Sequence, residues 1–416
     1  MKRAPHNKVL RVAAASLAIP LALTGQPTLT GQLTLRGSAG HTENGSYFRA
    51  LAGNTLTDHT AHLRLLLETP LGDNSVLDTH YDLGTIGGDT WAARSQVTPP
   101  AHPAGPSDDR RSVDLTRDLH RGSRSLAYHR LDRLAVHWTT DWGKVTAGRT
   151  AITWGNGLVF NVQDLFNPFD PHDIDRDYKT GDDLLLVETQ TGGLAWQFLA
   201  IPRRDPADRD HSHQHSSLAA HVSFTHGDIE WTAFAGAHYD EFVTGLGRVA
   251  TVGNTIWRSD ILITRLAGGD VAFAALTNLD YSWVWAGLNC YGAIEAHYNS
   301  LGHSDPWIAQ NDPNLATRMA RGELFTLGRT YLAGTLQVEF HALLNVGLTS
   351  VIGLDGPSGL LQPHVKWDIR QDLQLTLGAQ LSLGARGTEY GGIIDPATGL
   401  DFKSPQTAFL WLKAWF

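Results

Sequence analysis

Residues 408–416 read Ala-Phe-Leu-Trp-Leu-Lys-Ala-Trp-Phe, and this stretch decides the fold class. Successive side chains of a β-strand point to opposite faces, so every second residue from Ala408 to Phe416 lies on one wholly apolar face. The opposite face combines aromatic residues with Lys413. Such a strand is typical of a transmembrane β-barrel. We predict that it closes the barrel by pairing with strands near 373–384 and 30–40.

The composition of the 416-residue chain favours the same class. Only 18% of the residues are charged, while Gly (42 residues) and Trp (13 residues) are abundant. A membrane helix needs roughly 20 consecutive apolar residues, and the sequence has no such run. The net charge of −9 argues against a nucleic-acid partner, because phosphate binding needs a basic face. The single Cys290 excludes an internal disulfide and any Cys-based metal or haem motif.

The N-terminus has the pattern of a secretory signal. Basic residues between Lys2 and Arg11 precede an apolar stretch at 12–23, which is too short to cross a bilayer. We therefore expect residues 1–25 to be a signal peptide. The exported remainder, 26–416, is expected to form a barrel in the outer membrane of a Gram-negative bacterium.

Alternating segments recur along the chain and are separated by short turns or by long polar loops. Gly192-Gly193 and Gly227-Asp228 are two-residue hairpin turns. The fold class predicted is all-β, an antiparallel transmembrane barrel of about 18 strands, with 16 as the alternative. Short periplasmic turns alternate with long extracellular loops in this prediction. The long loops are expected near 85–123, 154–183, 202–216, 300–327 and 385–406.

A soluble β-sandwich also produces alternating strands. Eighteen such strands would need two or three domains, and the sequence shows no linker between domains. Trp and Tyr residues also recur near strand ends, as in Trp138, Trp142 and Trp283, where a barrel has its aromatic girdles. The barrel is the interpretation that these patterns favour.

The loop at 154–183 combines aromatic residues that favour burial, such as Phe160 and Phe166, with many carboxylates. A loop that folds inward would satisfy both groups and would narrow the lumen. The alternatives are an ordered extracellular loop whose aspartates cap turns, and a metal or catalytic site. The predicted constriction residues are Arg149, Asp164, Asp170, Asp173, Asp175, Arg176, Asp177, Lys179, Asp182 and Asp183.

The run from Gly148 to Leu184 carries a family resemblance. Its pattern, Gly-Arg…Trp-Gly-x-Gly…Asp-Leu-Phe-Asn-Pro-Phe…Asp-x-Asp-Tyr-Lys-x-Gly-Asp-Asp-Leu, is similar to one in poorly characterised, porin-like bacterial outer-membrane barrels. The similarity extends to 278–285 (Asn-Leu-Asp-Tyr-Ser-Trp-Val-Trp), 360–363 and 387–392. The resemblance implies an outer-membrane channel. It assigns neither a substrate nor a catalytic residue.

Alternation also predicts which charged side chains face the lumen. Opposed charges on a porin wall set a transverse field that sorts solutes, although internal salt bridging alone would also explain them. The sequence leaves both readings open. The predicted wall set is Arg64, Glu68, Arg133, His137, Arg258, Asp260, Glu295, His297, Arg329, Glu339, Lys366, Asp368, Arg370 and Lys413.

One tract suggests a metal site. His211, His213 and His215 are spaced by two, so they would point the same way in an extended segment and form a weak Zn²⁺ or Cu²⁺ site. Exposed histidine-rich tracts also bind metals without a function.

Enzyme signatures are missing from the sequence, which has no Gly-x-Ser-x-Gly, His-Glu-x-x-His or phosphate-loop motif. We expect no catalysis and no cofactor. The favoured function is a porin-like channel for passive passage of small polar solutes or ions. The alternative is a structural or scaffolding barrel that binds a surface polysaccharide or an electron-transfer protein. Expected partners are outer-membrane lipid, small solutes and the assembly machinery, which would read Phe416; a homo-oligomer is left open.

Overall fold

The computed structural model describes residues 25–94, 105–174 and 177–416. Of the predicted signal peptide, only Gly25 belongs to these described residues, so that prediction lies outside the structure. Across the described ranges, no helix is long and apolar enough to cross a membrane.

The described chain is built almost entirely from strands. In chain order the strands are β1 (Thr28–His41), β2 (Thr55–Pro70), β3 (Ser75–Gly88), β4 (Thr116–Arg121), β5 (Ser125–Thr140), β6 (Gly143–Thr150), β7 (Asp182–Thr191), β8 (Leu194–Ile201), β9 (Ser217–His226), β10 (Ile229–His238), β11 (Glu241–Val252), β12 (Thr255–Arg265), β13 (Val271–Trp285), β14 (Leu288–Asn299), β15 (Thr330–His341), β16 (Leu344–Gly353), β17 (Ser358–Arg370), β18 (Leu373–Gly384) and β19 (Gln406–Trp415). The helices are α1 (Tyr47–Ala52), α2 (Asp89–Arg94), α3 (Pro306–Asn311) and α4 (Pro313–Arg321).

All of these strands except β4 form one closed antiparallel ring, which therefore has 18 members within the described residues. Each pairs with its neighbours along the chain, and β19 closes the ring by pairing with β18 on one side and β1 on the other. The short β4 pairs with β5 alone, beside the place where β6 ends. The predicted 18-stranded antiparallel barrel and its closure by the C-terminal strand are confirmed.

The two ends of the ring differ in their connections. At one end, tight turns such as residues 192–193 and 286–287 join the strands. The second turn places Ala286 and Gly287 at φ angles of 51° and 82°, and a glycine reaches this left-handed region without strain. At the other end long loops contain the helices. The predicted loop at 85–123 is partly ordered structure, because α2 and β4 lie within it.

The wall is apolar outside and polar inside. Leu377 and Leu410 point outward and keep nearly half of their side-chain surface exposed, whereas Gln32 and Arg64 point inward and are buried. Successive residues alternate between these faces around the ring. The sequence alternation therefore translates directly into an outer surface suited to apolar surroundings.

A bulge in β5 breaks the alternation of inward and outward side chains at Asp132. The pairing of β3 with β5 passes from Tyr81–Leu131 to His80–Arg133, which leaves Asp132 as an extra residue. As a result Asp132 and its neighbour Arg133 are both buried on the lumen side.

The boundaries near the predicted constriction differ from expectation. β6 ends at Thr150 and β7 begins at Asp182, so Asp182 and Asp183 belong to the wall and not to the loop. Thr150 pairs with Asp182 and Arg149 with Asp183 in the ladder. Charged residues occur in these strands because the segment around Asp108 covers them and supplies an ion-pair partner.

Candidate functional site

The connection between β6 and β7 lies inside the barrel over its described residues, 151–174 and 177–181; we call these residues the collar. Its first part has an apolar face formed by Trp154 and Phe166, which pack against Leu199, Ile201 and Phe234 of the wall. The indole Nε1 of Trp154 donates a hydrogen bond to Gln197 Oε1 at 2.7 Å. Burial of these aromatic groups away from water holds the collar against β8 to β10.

Two wall carboxylates anchor the next part of the collar. Glu295 of β14 accepts hydrogen bonds from the backbone N–H groups of Leu158, Val159 and Phe160 at 2.7, 3.2 and 2.6 Å. Asp260 of β12 accepts from the backbone and the side chain of Asn156 at 2.6 and 2.7 Å. Both carboxylates are almost fully buried, so these hydrogen bonds compensate for their lost hydration.

The collar then continues along the wall through aromatic contacts. The Phe160 ring stacks on His297 of β14 at 4.4 Å between centroids and tilts against Tyr331 of β15 at 5.5 Å. The Tyr331 hydroxyl in turn donates to the Glu389 carboxylate at 2.5 Å. Glu389 belongs to the loop after β18, so the collar is joined to an outer loop through the wall.

His172 forms the next attachment. Its Nδ1 lies 2.6 Å from Asp170 Oδ1 and its Nε2 lies 2.9 Å from the Tyr390 hydroxyl, while Gln362 of β17 donates to its carbonyl at 2.6 Å. Burial alone would lower the pKa of His172. The hydrogen bond to Asp170, and the charges of Asp170 and Glu389, outweigh this effect and raise the pKa above its usual 6.5.

The collar reaches the closing seam of the barrel at Asp177. Lys413 of β19 places its ammonium 2.5 Å from Asp177 Oδ2, and Gln32 of β1 donates to the same oxygen at 3.3 Å. The neighbouring Tyr178 ring lies under the Arg64 guanidinium of β2, with 4.1 Å between the guanidinium carbon and the ring centroid. One short stretch thus contacts both sides of the seam.

A buried ion pair fixes the two ends of the collar to each other. The Lys179 ammonium lies 2.5 Å from both carboxylate oxygens of Asp164, and Arg133 of β5 donates to the Lys179 carbonyl. Burial raises the pKa of Asp164 to about 6, although the Lys179 charge opposes the shift. Burial likewise lowers the pKa of Lys179. For both groups burial is the largest influence on the pKa, and the ion pair opposes it.

Taken in chain order, the collar contacts β8–β10, β12–β15, β17, β19, β1–β3 and β5. It is therefore a second, inner ring against the wall. Four of its described residues are exposed within this ring, namely Thr153, Asp173, Asp177 and Tyr178. These groups are placed to meet a solute.

An arginine–aspartate cluster lies on the wall next to Tyr178. Arg64, Arg130 and Arg133 surround Asp82 and Asp132, with Arg130 Nη2 to Asp132 at 2.9 Å and Arg133 Nη1 to Asp132 at 2.8 Å. Arg64 also pairs with Asp132. Arg133 also interacts electrostatically with Asp78, so this part of the wall combines three guanidinium groups with three carboxylates beside the collar.

A polar vestibule of about 780 Å³ lies on the short-turn side of the collar. Lys144, Glu188 and Glu230 line it together with Trp154 at the collar's edge. Water and small solutes therefore have polar surface to contact up to the collar itself.

The predicted constriction residues fall into three groups. Asp164, Asp170, Asp173, Asp177 and Lys179 belong to the collar. Arg149, Asp182 and Asp183 are buried in the wall, where Arg149 Nε lies 2.8 Å from Asp183 Oδ1 and Arg203 Nη2 lies 2.7 Å from Asp182 Oδ2. Asp175 and Arg176 lie outside the described residues.

Most predicted wall residues point into the barrel but differ in accessibility. Asp260, Glu295 and His297 are covered by the collar. The others with inward side chains are Arg64, Glu68, Arg133, His137, Arg258, Glu339, Lys366, Asp368 and Lys413.

Two predicted wall residues lie elsewhere. Arg329 precedes β15, is exposed, and donates to the Gly302 carbonyl at 2.7 Å. Arg370 follows a register shift at the end of β17, so it sits at a turn and pairs with Asp372. Strict alternation fails at both positions because neither residue is in a regular part of its strand.

Sequence reasoning missed Asp82, Arg130 and Asp132, which form the core of the arginine–aspartate cluster. Asp82 pairs with Arg64 across the strands, so a complete parity count would have found it. Arg130 and Asp132 have the parity opposite to Arg133 and His137 of the same strand, and the bulge at Asp132 is what lets both sets face inward.

The histidine tract is not extended. Residues 213–215 form a turn, with Ser216 N donating to the Ser212 carbonyl at 3.1 Å, so the three histidines lack the common direction that the spacing suggested. Over the described ranges, no group of three or more His, Cys, Asp or Glu side chains is arranged to hold a metal.

No protein-family model and no curated protein matches this sequence. The fold, however, is similar to solved porins. OccK5 (OpdH) of Pseudomonas aeruginosa superposes with a TM-score of 0.54 at 10% identity, over 93% of this chain and 98% of that one. The P. aeruginosa outer membrane protein OpdK gives 0.52 at 9% identity, over 94% and 98%. A BenF-like porin from Pseudomonas fluorescens Pf-5 gives 0.51 at 8% identity, over 94% and 98%. These likenesses establish a shared barrel fold.

Proposed function

We propose that this protein is a porin-like channel of the bacterial outer membrane, through which small polar solutes or ions pass passively. One observation carries the proposal. The collar lies inside a closed 18-stranded barrel, follows its inner wall, and leaves Asp173, Asp177 and Tyr178 exposed. A segment in this position sets the width and the charge of the passage.

The outer surface supports a membrane location. Outward positions along β17 to β19 are dominated by leucine, and large aromatic groups such as Trp138, Trp285 and Trp367 are about half exposed or more near strand ends. An apolar band bordered by aromatic residues matches a bilayer core and its two interfaces. The likeness of the fold to the outer membrane protein OpdK and to the BenF-like porin also supports this location.

The charged groups in the lumen favour the passage of polar rather than apolar solutes. The exposed Asp177 carboxylate lies next to the Lys413 ammonium, and the adjacent Tyr178 ring carries the Arg64 guanidinium group. A solute that passes these opposite charges experiences a local field that favours dipolar or charged molecules. Asp164, Asp170 and Lys179 hold the collar's shape in this proposal, while Asp175 and Arg176 stay predicted contributors to the constriction.

A scaffolding role is less well supported. An electron-transfer protein threaded through the barrel would have to displace the collar, including the anchors at Asp260 and Glu295 and the buried Trp154. A passive channel also needs no catalytic group, and we assign none.

Conductance in a planar bilayer tests the proposal. The purified protein should give discrete ion currents, and replacing residues 155–174 by a short Gly-Ser linker should raise the current per channel severalfold because the narrowest part is removed. A matched deletion in the outer loop at 206–211 should leave the conductance unchanged. Absence of current from both the intact and the collar-deleted protein would refute the proposed function.

A further inference from the structure

Arg248 of β11 points out of the barrel. Its neighbour Gly247 pairs with Asp260, which faces the collar, so Arg248 has the opposite parity. Its direct ladder partners are Trp231 of β10 and Ser259 of β12, which share the outward face. A guanidinium group on this apolar surface requires an explanation, because an arginine on the lipid face of a barrel is destabilising unless its charge is compensated.

The other outward-facing charges in the ring strands lie close to strand ends, as far as the described residues show. Arg149 and Asp183 neutralise each other under the segment around Asp108. Arg265 is the last residue of β12, on the long-loop side, and Arg370 ends β17. Arg248 instead lies four residues before Val252, the last residue of β11. No ion pair joins it to a carboxylate of the described chain; its described side-chain contact is aromatic.

One tryptophan stacks on the guanidinium group, and a second is the ladder neighbour of Arg248 on the adjacent strand. The Arg248 guanidinium carbon lies 3.8 Å from the centroid of the Trp257 ring, and Trp231 is the ladder neighbour. Trp257 is held in place because its Nε1 donates to Thr277 Oγ1 at 2.8 Å, and Ser259 Oγ lies 2.9 Å from the same hydroxyl. Stacking covers one face of the guanidinium plane and leaves the N–H edge able to bind an anion bidentately.

The depth of the Arg248 guanidinium group along the barrel matches that of a lipid headgroup. Four residues of a tilted strand place Arg248 roughly 10 Å from the short-turn end. Trp231 is level with Arg248 in the ladder, and Trp257 lies two residues nearer that end. Each tryptophan is two residues inside its strand, in the zone of an aromatic girdle. The long arginine side chain can extend from there to the phosphate layer while its stem stays on the apolar surface.

We propose that Arg248, Trp231 and Trp257 bind the phosphate of an anionic phospholipid in the leaflet that meets the short turns. The site rests on the membrane location argued above. An anionic phospholipid fits this site because Arg248 is positively charged and is flanked by aromatic groups at the membrane interface. The adjacent hydroxyls of Ser259 and Thr277 supply further polar contacts.

Native mass spectrometry of the protein with phosphatidylglycerol, and with phosphatidylcholine for comparison, tests the site. The unmodified protein should retain phosphatidylglycerol more strongly than phosphatidylcholine. The Arg248→Gln variant should bind phosphatidylglycerol about fivefold to tenfold more weakly, the loss expected for one interfacial arginine. Arg265→Gln removes an outward arginine at the opposite end of the wall and should bind like the unmodified protein. Trp257→Leu should weaken binding less than Arg248→Gln.

Three outcomes would overturn this proposal. The first is that Arg248→Gln retains phosphatidylglycerol as well as the unmodified protein does, and the second is an Arg248-dependent preference for lipopolysaccharide over phosphatidylglycerol. The third is efficient crosslinking between two copies of the protein through Arg248→Cys. The last result would identify the face as a contact between copies of this chain. Conductance separates this proposal from the proposed function, because Arg248→Gln should conduct normally. A channel that conducts yet shows no Arg248-dependent lipid binding would refute the lipid site alone.

Discussion

The Lys413 ammonium of the closing strand lies 2.5 Å from the Asp177 carboxylate of the collar. This contact joins the last strand of the barrel to the segment that narrows its lumen. Lys413 is buried whereas the carboxylate of Asp177 remains 45% exposed, so the pair presents its negative member to solvent. The geometry of the barrel's seam and the position of the collar in the lumen are thus linked.

Lys413→Gln should loosen the collar at the seam. Without the ammonium group, Asp177 keeps the hydrogen bond from Gln32 but loses a charge-assisted contact worth on the order of 1–3 kcal/mol. We expect larger open-channel current fluctuations and a changed cation-to-anion permeability ratio. Lys366→Gln, a lumen-facing lysine of β17 whose ladder partner is Asn345, is the matched control and should not increase the fluctuations. Equal effects of the two variants would show that only net wall charge matters.

The seam depends on the pairing of Gly31 with Phe416. Their backbones exchange hydrogen bonds at 2.8 and 3.0 Å, and a methyl group added at Gly31 would overlap the Phe416 ring. Gly31→Ala should therefore lower the yield of folded barrel severalfold, consistent with a cross-strand contact of about 1 kcal/mol. The fraction that resists unfolding by detergent at room temperature measures this yield. Phe416→Ala should make Gly31→Ala tolerable, and conductance per folded channel should be unchanged in each case.

Deletion of Phe416 is a stricter test of the closing strand. It should impair assembly rather than conductance, because the residue packs at the seam and outside the lumen. Normal insertion of the truncated protein into membranes would contradict the role we give to this strand.

Substitutions at Asp164 and Lys179, which form a buried ion pair, should have non-additive effects on the stability of the collar. Lys179→Met leaves a buried carboxylate without its cation, which costs about 3–5 kcal/mol. Hydrogen exchange of the collar amides should accelerate more than 100-fold as a result. The double variant Asp164→Leu/Lys179→Met should recover most of the protection, since well-packed apolar groups avoid the dehydration cost. Additive losses from the two substitutions would argue against the ion pair.

The attachment of the collar at His172 should weaken as pH rises. Its raised pKa means that the attached collar favours the imidazolium form. The stabilisation is therefore complete below the ordinary pKa of 6.5 and is lost as pH passes through the raised value. Collar-dependent current fluctuations should grow with pH across this window. His172→Gln should remove the pH dependence, while His226→Gln, an exposed histidine near a turn, should retain it. A pH profile that survives His172→Gln would place the titrating group elsewhere.

Much of the barrel was predictable because its rules are local. Alternation, two-residue turns and the paired polar positions within β17 and β19 depend only on neighbours in sequence. The wall carboxylates that hold the collar were harder to predict from the sequence. Asp260 and Glu295 were recognised as inward-facing, but their burial results from contacts with Asn156 and Leu158 more than 100 residues away in the sequence. Asp132 was missed because a bulge lets it face inward together with its neighbour Arg133, and Arg370 was misplaced because a register shift ends the alternation just before it.

The path of the collar has a consequence for biogenesis. Asp177 contacts β19 and β1, the strands whose pairing completes the ring, so this part of the collar has its partners only after the ring is complete. Narrowing should therefore be the last step of maturation, and a newly inserted barrel should pass briefly through a wide, leaky stage. A transient release of a trapped dye from vesicles during insertion, longer-lived in Lys413→Gln than in Lys366→Gln, would reveal this stage; release identical in the two variants would exclude it.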